Sequence, residues 1–264
     1  MKKFLLLIAA VVFAAPQLWS QDASRSSTKS LSNEDRNFRI PLIGESAPSF
    51  TAESTKGTIN FPSDFGRKWK ILFSHPADFT PVCTTEIIEL AKMEDQYTKL
   101  GIKLVVMSTD ALDTHVQWKK SMESLNLNNN GSVKINFPLV DDNNQSISKK
   151  YGMIHPASNS TKSVRGVFII DPDNIIQAIY FYPKDVGRST DELLRTVTAL
   201  QTTASGKVLT PVNWRAGNDL LVPIPPNTDK TGKPVVAEGF YSPIWYLWYK
   251  KGNKVNSGTS GSEF

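Results

Sequence analysis

The chain has 264 residues, of which 40% are hydrophobic and 21% charged, a composition typical of a globular protein with a substantial core. Its length indicates one domain with an appendage or two small domains. A single cysteine, Cys83, excludes an intrachain disulfide, a CxxC redox pair and metal sites built from several cysteines. The formal charge of +5, with no basic run interleaved with aromatic residues, does not favour a nucleic-acid partner.

The first 20 residues have the pattern of a secretory signal peptide. Two lysines precede the apolar run Phe4–Ala15, which is too short for a spanning helix. We therefore expect cleavage near Ser20 and export to the periplasm or out of the cell, with an uncleaved membrane anchor as the alternative. No other stretch is long and apolar enough to span a bilayer, so stable membrane insertion is not expected. Residues 21–38 are polar and serine-rich, which predicts a flexible leader.

From residue 69 onward, strand patterns alternate with helix patterns. The predicted elements are a strand at 70–74, a helix at 81–100, a strand at 103–108, a helix at 112–127, a strand at 137–140, a short helix at 147–151, a β-hairpin at 164–170 and 175–182, and a helix at 191–200. Gly101 and Gly152 are expected to end two of the helices. This order predicts an α/β fold with helices layered on a sheet.

Apolar residues at helical spacing predict which faces of the first two helices are buried. The first helix carries Ile87, Leu90, Ala91, Tyr97 and Leu100 on one face. The second has Val116 and Leu125 among its apolar positions.

The sequence changes character near residue 205. Residues 205–250 are rich in proline and poor in helix signals, which predicts a small, extended C-terminal unit, and residues 251–264 form a Gly- and Ser-rich tail expected to be disordered. The aromatic run Trp245–Tyr249 is interpreted as packing of this unit against its own core or against a second subunit. A carbohydrate platform and a membrane-interface contact are the alternatives.

The single thiol lies between the first predicted strand and the first long helix. Thr80 is a favoured N-cap residue, and Pro81 suits the first helical position, where its missing N–H costs nothing. Cys83 then lies in the first turn, where unpaired N–H groups and the helix dipole favour a thiolate, the reactive form. By position alone, a small, buried and inert cysteine is equally consistent with this pattern.

The residues Pro76-x-x-x-Thr80-x-x-Cys83 resemble the peroxidatic motif of peroxiredoxins. The longer string FSHPADFTPVCTTE is similar to the one-cysteine, type-six branch of that family. Further similar segments follow in the family's order, at residues 165–171, 187–195 and 210–214, and the similarity extends over roughly residues 40–250. The resemblance implies a thioredoxin-like domain at 39–204, with a mixed sheet and flanking helices, followed by a C-terminal peroxiredoxin extension at 205–250.

The resemblance also implies an activity, the reduction of hydrogen peroxide and organic hydroperoxides. Cys83 would be the nucleophile and would become a sulfenic acid. The Thr80 hydroxyl and the Cys83 backbone N–H would hold the peroxide oxygens, and Pro76 would shield the pocket from water. No cofactor is implied, and the three histidines lack the spacing of a metal site.

Four charged or titratable residues complete the implied site. Arg165 would favour the thiolate and polarise the peroxide; without the resemblance, a half-exposed strand arginine is the commoner interpretation. His75 and Glu86 would orient the pocket, although His75 could be structural and Glu86 simply an acid of the first turn. Arg188 is a second candidate cation, for which a surface salt bridge is the stronger alternative.

Two departures from family patterns narrow the expected function. Where two-cysteine peroxiredoxins carry a resolving thiol, this chain has Val208-Leu209-Thr210, so an external thiol must reduce the sulfenic acid. That thiol would be a small molecule, a thioredoxin- or glutaredoxin-like protein, or the Cys83 of a second subunit of a homodimer or larger oligomer. Lys68 replaces the serine of the phospholipase motif found in some type-six members, so lipase activity is not expected. An exported redox-sensing or holdase-type binding protein is the alternative function.

Overall fold

The computed structural model of the protein describes residues 39–125, 132–158, 160–223 and 238–253. The expected signal peptide and leader at 1–38 lie outside the described residues, as do residues 224–237 and most of the expected C-terminal tail. No helix within the described ranges is long and apolar enough to cross a membrane.

The central sheet is mixed and has five strands. It follows two short strands in the chain, β1 (Phe50–Ala52) and β2 (Ile59–Phe61). The strands of the central sheet are β3 (Trp69–Ser74), β4 (Ile102–Ser108), β5 (Leu139–Asp141), β6 (Arg165–Ile170) and β7 (Ile176–Tyr182). Their order is β5-β4-β3-β6-β7; β3, β4 and β5 run parallel, and β6 and β7 pair antiparallel as a hairpin. The predicted strands and hairpin are confirmed, and the sheet is mixed with flanking helices, as expected.

Strand β3 occupies the centre of the sheet because both of its faces are apolar. Ile71 and Phe73 point into the core cluster on one face, and Leu72 points into the cluster on the other. All three side chains are buried, which is typical of a central strand covered on both sides.

A short hairpin that the sequence did not reveal covers part of one face. It consists of β1 (Phe50–Ala52) and β2 (Ile59–Phe61), paired antiparallel. Phe50 and Phe61 stack with ring centroids 5.0 Å apart and belong to the same core cluster as Leu72.

The helix predicted at 81–100 is two helices, α1 (Pro81–Lys92) and α2 (Glu94–Lys99), so the prediction of one continuous helix is wrong. They meet at buried Met93, whose N–H bonds to both Glu89 and Ala91 carbonyls. The apolar spacing continues through Met93 to Tyr97, and periodicity therefore does not reveal the break. Leu100, predicted to be buried, is 37% exposed, and Gly101 ends α2 with φ of +70° as expected.

Helix α3 (Leu112–Glu123) confirms the predicted helix, but its apolar positions do not mark its buried face. His115, Trp118 and Met122 are buried, whereas Val116 and Leu125 are 48% and 39% exposed. The helix packs a histidine inward through hydrogen bonds, and a hydrophobicity pattern reads that residue as polar. Residues 126–127, where the helix was predicted to end, lie outside the described residues.

The remaining elements of the core follow the predicted order. Helix α4 (Ser146–Lys150) is followed by Gly152, which has φ of +62°, and α5 (Thr190–Thr203) is slightly longer than predicted. Ser189 caps α5, and its hydroxyl accepts a hydrogen bond from the N–H of Glu192.

The C-terminal segment forms a separate three-stranded antiparallel sheet. Its strands are β8 (Leu220–Val222), β9 (Phe240–Ile244) and β10 (Leu247–Lys250), in the order β8-β10-β9. Trp248 is buried, but Trp245 and Tyr246 are 72% and 58% exposed. Within the described residues, packing against the chain's own core therefore accounts for only part of the aromatic run.

Candidate active site

The loop from β3 to α1 sets the position of the single cysteine. Thr80 has extended backbone angles and precedes α1, and Pro81 is its first residue, as predicted. The Thr80 hydroxyl, however, makes no cap hydrogen bond; it donates instead to the carbonyl of Ala77 at 2.8 Å. Cys83 occupies the first turn and is fully buried.

Arg165 is the first residue of β6, beside β3, and its side chain reaches the cysteine. Its Nη1 lies 3.2 Å from the Cys83 Sγ and donates to Glu86 Oε2 at 2.8 Å. Its Nε donates to the Lys184 carbonyl at 2.9 Å, and Nη2 donates to the same oxygen. The guanidinium is thus held on both sides and is almost completely buried, so the half-exposed interpretation is wrong.

Glu86, one turn after Cys83, joins two arginines. It accepts hydrogen bonds from Arg165 Nη1 and, at 2.7–2.8 Å, from the backbone and guanidinium of Arg188. Burial disfavours the carboxylate, but the hydrogen bonds and charge of Arg188, together with the charge of Arg165, outweigh it and lower the pKa of Glu86.

Arg188 is buried beneath the loop, which overturns the surface salt-bridge interpretation. Its side chain is 5% exposed, and its guanidinium carbon lies 3.4 Å from the ring centroid of Phe73. Nη1 also donates to the carbonyls of Ser74 and Gly166, at 2.8 and 2.9 Å. Arg188 therefore anchors Glu86 to two strands of the sheet.

The ion pairs beside the cysteine leave one positive charge in excess. Arg165 and Arg188 contribute two buried positive charges, and Glu86 contributes one negative charge. A fixed guanidinium therefore lies against the Cys83 Sγ, where it can stabilise negative charge that develops during a reaction.

His75 directly follows β3, and its side chain contacts Asp78. Its Nε2 is 2.8 Å from Asp78 Oδ1, and its ring centroid is 5.0 Å from that of Trp118. Burial lowers the pKa of His75, in spite of the nearby carboxylate. These contacts match the structural interpretation of His75 as a hydrogen-bonding residue.

Two residues that the sequence analysis missed complete this second cluster. Asp78 Oδ2 lies 2.7 Å from His115 Nδ1, and His115 Nε2 lies 3.0 Å from the Val140 carbonyl. Asp78 and His115 are 37 positions apart, so no local motif spacing marks them as partners. Within the described residues, no group of three or more His, Cys, Asp or Glu side chains could hold a metal ion.

A cleft of about 990 Å³ opens over the loop and gives access to it. Three predicted site residues line it: Pro76, Thr80 and Arg165. Much of the remaining wall is apolar, including Val82 and Phe181. A small solute can therefore approach the loop from this side.

Comparison with known proteins identifies two matching family models. Residues 43–179 match the AhpC/TSA family, and residues 199–234 match the C-terminal domain of 1-Cys peroxiredoxin. The chain is 43% identical over 216 residues to a peroxiredoxin of Methanosarcina mazei, covering 80% of this chain and 98% of that protein. It is 37% identical over 205 residues to peroxiredoxin-6 of Bos taurus, covering 76% and 91%.

Solved structures of peroxiredoxins are also similar to this chain. A yeast mitochondrial 1-Cys peroxiredoxin superposes with a TM-score of 0.69 at 34% identity, covering 81% of this chain and 100% of that one. A peroxiredoxin 6 of Arenicola marina superposes with the same TM-score at 32% identity, covering 81% and 99%.

Proposed function

Because the chain belongs to the AhpC/TSA family of peroxiredoxins, carries the 1-Cys C-terminal domain and is a thiol-dependent peroxidase, we propose that Cys83 is the residue that peroxide oxidises. The observation that carries this assignment is the 3.2 Å contact between Arg165 Nη1 and the Cys83 Sγ. A redox-sensing or holdase scaffold is not favoured, since a scaffold does not require a buried arginine against a buried cysteine.

The first step is nucleophilic attack by the Cys83 thiolate on one oxygen of the peroxide. An S–O bond forms as the O–O bond breaks, so the sulfur loses two electrons and becomes a sulfenic acid. The departing hydroxide or alkoxide takes up a proton and leaves as water or alcohol.

The residues around the sulfur have distinct roles in this step. Arg165 stabilises the thiolate and the negative charge that moves onto the departing oxygen. The Thr80 hydroxyl donates its hydrogen bond to the Ala77 carbonyl, so its oxygen is free to accept a hydrogen bond from the peroxide. Pro76, in the cleft wall, limits the access of water, and Glu86 and Arg188 hold Arg165 in place.

An external thiol completes the cycle because the chain has no second cysteine. The thiol condenses with the sulfenic acid, which releases water and leaves a mixed disulfide on Cys83. A second thiolate attacks that disulfide and restores the Cys83 thiolate. In the related yeast mitochondrial 1-Cys peroxiredoxin, the thiol is resolved via the glutathione and thioredoxin systems, which supports a thiol of this class here.

Trapping of the sulfenic acid with dimedone tests the assignment of Cys83. One equivalent of hydrogen peroxide should allow labelling of the purified chain at Cys83, with an oxidation rate far above that of free cysteine. Cys83→Ser should abolish both labelling and thiol-dependent turnover, while Thr85→Ser, an exposed change two residues along the same helix, should leave both intact. Oxidation of Cys83 no faster than that of free cysteine would overturn the assignment.

We also propose that two copies of the chain associate through the exposed aromatic residues of the C-terminal sheet. Trp245 and Tyr246 are largely exposed side by side, and such residues are enriched at interfaces between subunits. Sedimentation of the wild-type chain should show a dimer, and Trp245→Ser should weaken it. Leu42→Ser, a change at another exposed apolar residue, is the control.

Export after cleavage of residues 1–20 is a further proposal, supported by the basic start and apolar run of the N-terminus. Expression of the full chain in its own cells, followed by N-terminal sequencing of the mature protein, tests it. A mature N-terminus near residue 21 in the exported fraction is expected, and an intact Met1 in the cytosol would overturn the proposal.

A further inference from the structure

We propose that Asp78 and His115 are positioning residues for the peroxide reaction. His115 holds Asp78, and Asp78 fixes the turn from Ala77 to Thr80. This turn sets the orientation of the Thr80 hydroxyl, which accepts a hydrogen bond from the peroxide. This inference rests on the proposed function of Cys83 and adds two residues that do not touch the sulfur. Both side chains are buried, and neither lines the cleft that Pro76 and Thr80 line.

The side chain of Asp78 is held by partners from different elements. Oδ1 lies 2.8 Å from Nε2 of His75, at the end of β3, and Oδ2 lies 2.7 Å from Nδ1 of His115, in α3. His115 is itself fixed by the Val140 carbonyl, 3.0 Å from its Nε2. Asp78 is thus tied to β3, α3 and β5 at once.

The hydrogen-bond pattern determines where the protons are. The Val140 carbonyl only accepts, so His115 Nε2 carries a proton. The hydrogen bonds from His115 and His75 outweigh the effect of burial and lower the pKa of Asp78, which is therefore a carboxylate. Both ring nitrogens of His115 therefore face acceptor oxygens, Asp78 Oδ2 and the Val140 carbonyl.

His75 differs from His115 in having only one partner. Its Nε2 donates to Asp78, while its buried Nδ1 has no hydrogen-bond partner among the described residues, consistent with a neutral ring. Asp78 thus lies between two histidine rings, of which His115 is held at both of its nitrogens.

The backbone connects Asp78 to the Thr80 hydroxyl. The peptide unit between Ala77 and Asp78 is held at its N–H end by Asp110 Oδ2, at 2.7 Å. At its other end, the Ala77 carbonyl oxygen accepts a hydrogen bond from the Thr80 hydroxyl, with the two oxygens 2.8 Å apart. The orientation of this peptide plane therefore dictates which way the Thr80 oxygen presents its lone pairs.

The turn needs such support because one of its residues adopts an unfavourable conformation. Phe79 has φ of +55°, in the left-handed region that residues other than glycine rarely adopt. Its side chain is 55% exposed, so burial of the ring contributes little to holding it there. The fixed side chain and N–H of Asp78, immediately before it, supply the constraint.

Two substitutions of Asp78 separate its hydrogen bonds from its charge. Asp78→Asn keeps the shape: its amide oxygen accepts from His75, and its NH2 group donates to a neutral His115 that still bonds Val140. Asp78→Leu fills a similar volume but accepts no hydrogen bond. We expect Asp78→Asn to be oxidised by hydrogen peroxide within about fivefold of the wild-type rate, and Asp78→Leu to be at least about 30-fold slower.

Alkylation of Cys83 by iodoacetamide distinguishes a positioning role of Asp78 in the peroxide reaction from a general structural role. It reports the thiolate but needs no peroxide pocket, so Asp78→Leu should change its rate by less than about threefold. Equal losses in both reactions, or an Asp78→Asn rate as low as that of Asp78→Leu, would overturn the inference.

His115 offers a second matched pair should Asp78→Leu fail to fold, as checked by thermal unfolding. Asn places its amide nitrogen near the position of Nδ1 and keeps the bond to Asp78, whereas Gln places it near Nε2 and keeps the bond to Val140. His115→Asn should therefore react with peroxide at least about fivefold faster than His115→Gln. Equal rates would overturn the inference. Slow oxidation of Cys83 by peroxide in the wild-type protein would overturn the proposed function and this inference with it.

Discussion

Arg165 Nη1 lies 3.2 Å from the Cys83 Sγ, although 82 residues separate the two in the chain. The contact exists because β6, which begins with Arg165, pairs antiparallel with β3, the strand that leads into the cysteine loop. The same nitrogen bonds Glu86, so the guanidinium has little freedom to move away from the sulfur. A fixed positive charge at this distance stabilises a thiolate without reorganisation during the reaction.

Removal of this charge should slow the oxidation of Cys83. We expect Arg165→Met to lower the rate with hydrogen peroxide by about 10²- to 10³-fold, the usual effect of losing one preorganised donor at a developing charge. Stopped-flow mixing of reduced protein with peroxide measures it. Iodoacetamide alkylation near neutral pH should slow as well, because the thiolate itself loses its counterion, and this distinguishes Arg165 from Asp78.

Arg195→Met is the matched control for Arg165→Met. Arg195 also pairs with a glutamate, Glu192, but its side chain is 24% exposed and lies on α5. Its loss should leave the oxidation rate within about twofold of wild type. Equal effects of the two substitutions would contradict a specific role for Arg165.

Loss of the Glu86 carboxylate should lower the free energy of unfolding more than loss of a surface carboxylate. Glu86→Gln leaves Arg165 and Arg188 buried together without their carboxylate, and breaking a buried ion pair in this way costs about 3–5 kcal/mol. Urea unfolding of the reduced protein measures the loss. Glu192→Gln, at an ion pair whose carboxylate is 45% exposed, should cost less than about 1 kcal/mol. A similar loss for both variants would contradict the importance of burial.

Local sequence was sufficient for the part of the site that belongs to one helix start. Thr80 and Pro81 mark the first turn of α1, and this alone puts Cys83 among unpaired N–H groups. The position of Arg165 against Cys83 depends on strand pairing, so only the family resemblance anticipated it.

The missed features depend on contacts that no short pattern encodes. The pairing of Asp78 with His115 requires α3 to pack beside the cysteine loop, and a buried histidine reads as polar in a hydrophobicity pattern. The break at Met93 leaves the apolar spacing of the helix unchanged. The sequence favours a surface salt bridge for Arg188. Its partners are Glu86 and the backbone of two strands, so its burial follows only from the folded structure.

The free energy of unfolding should fall in two steps as the pH is lowered. Burial keeps the pKa of His75 below its ordinary value of 6.5, so the unfolded chain binds a proton that the native state does not. Stability is therefore lost as the pH falls through about 6.5. The pKa values of Glu86 and Asp78 are lowered from 4.5 and 3.8, so their contribution is present above those values and is lost as the pH falls below them.

Urea unfolding at about pH 8, about pH 5.5 and about pH 4 separates the two steps. Substitution of His75 by Gln should flatten the change between the first two, and Glu86→Gln should flatten the change between the last two. A His75→Gln variant that loses as much stability as the wild type between about pH 8 and about pH 5.5 would contradict the contribution derived for His75.

Gly152 should tolerate substitution far less than Gly101, although both have positive φ. A Cβ atom at Gly152 would lie 2.6 Å from Ile40 Cγ1 and 2.7 Å from the Arg39 carbonyl oxygen, whereas one at Gly101 meets nothing within 4 Å. Gly101→Ala should therefore cost only the strain of a left-handed alanine, about 1 kcal/mol, and Gly152→Ala at least about 1–2 kcal/mol more, because the backbone of Arg39 must also shift. Urea unfolding of the two variants measures the difference. Equal losses would mean that residues 39–40 do not pack against this turn in solution, and a truncation that removes them should then leave stability unchanged.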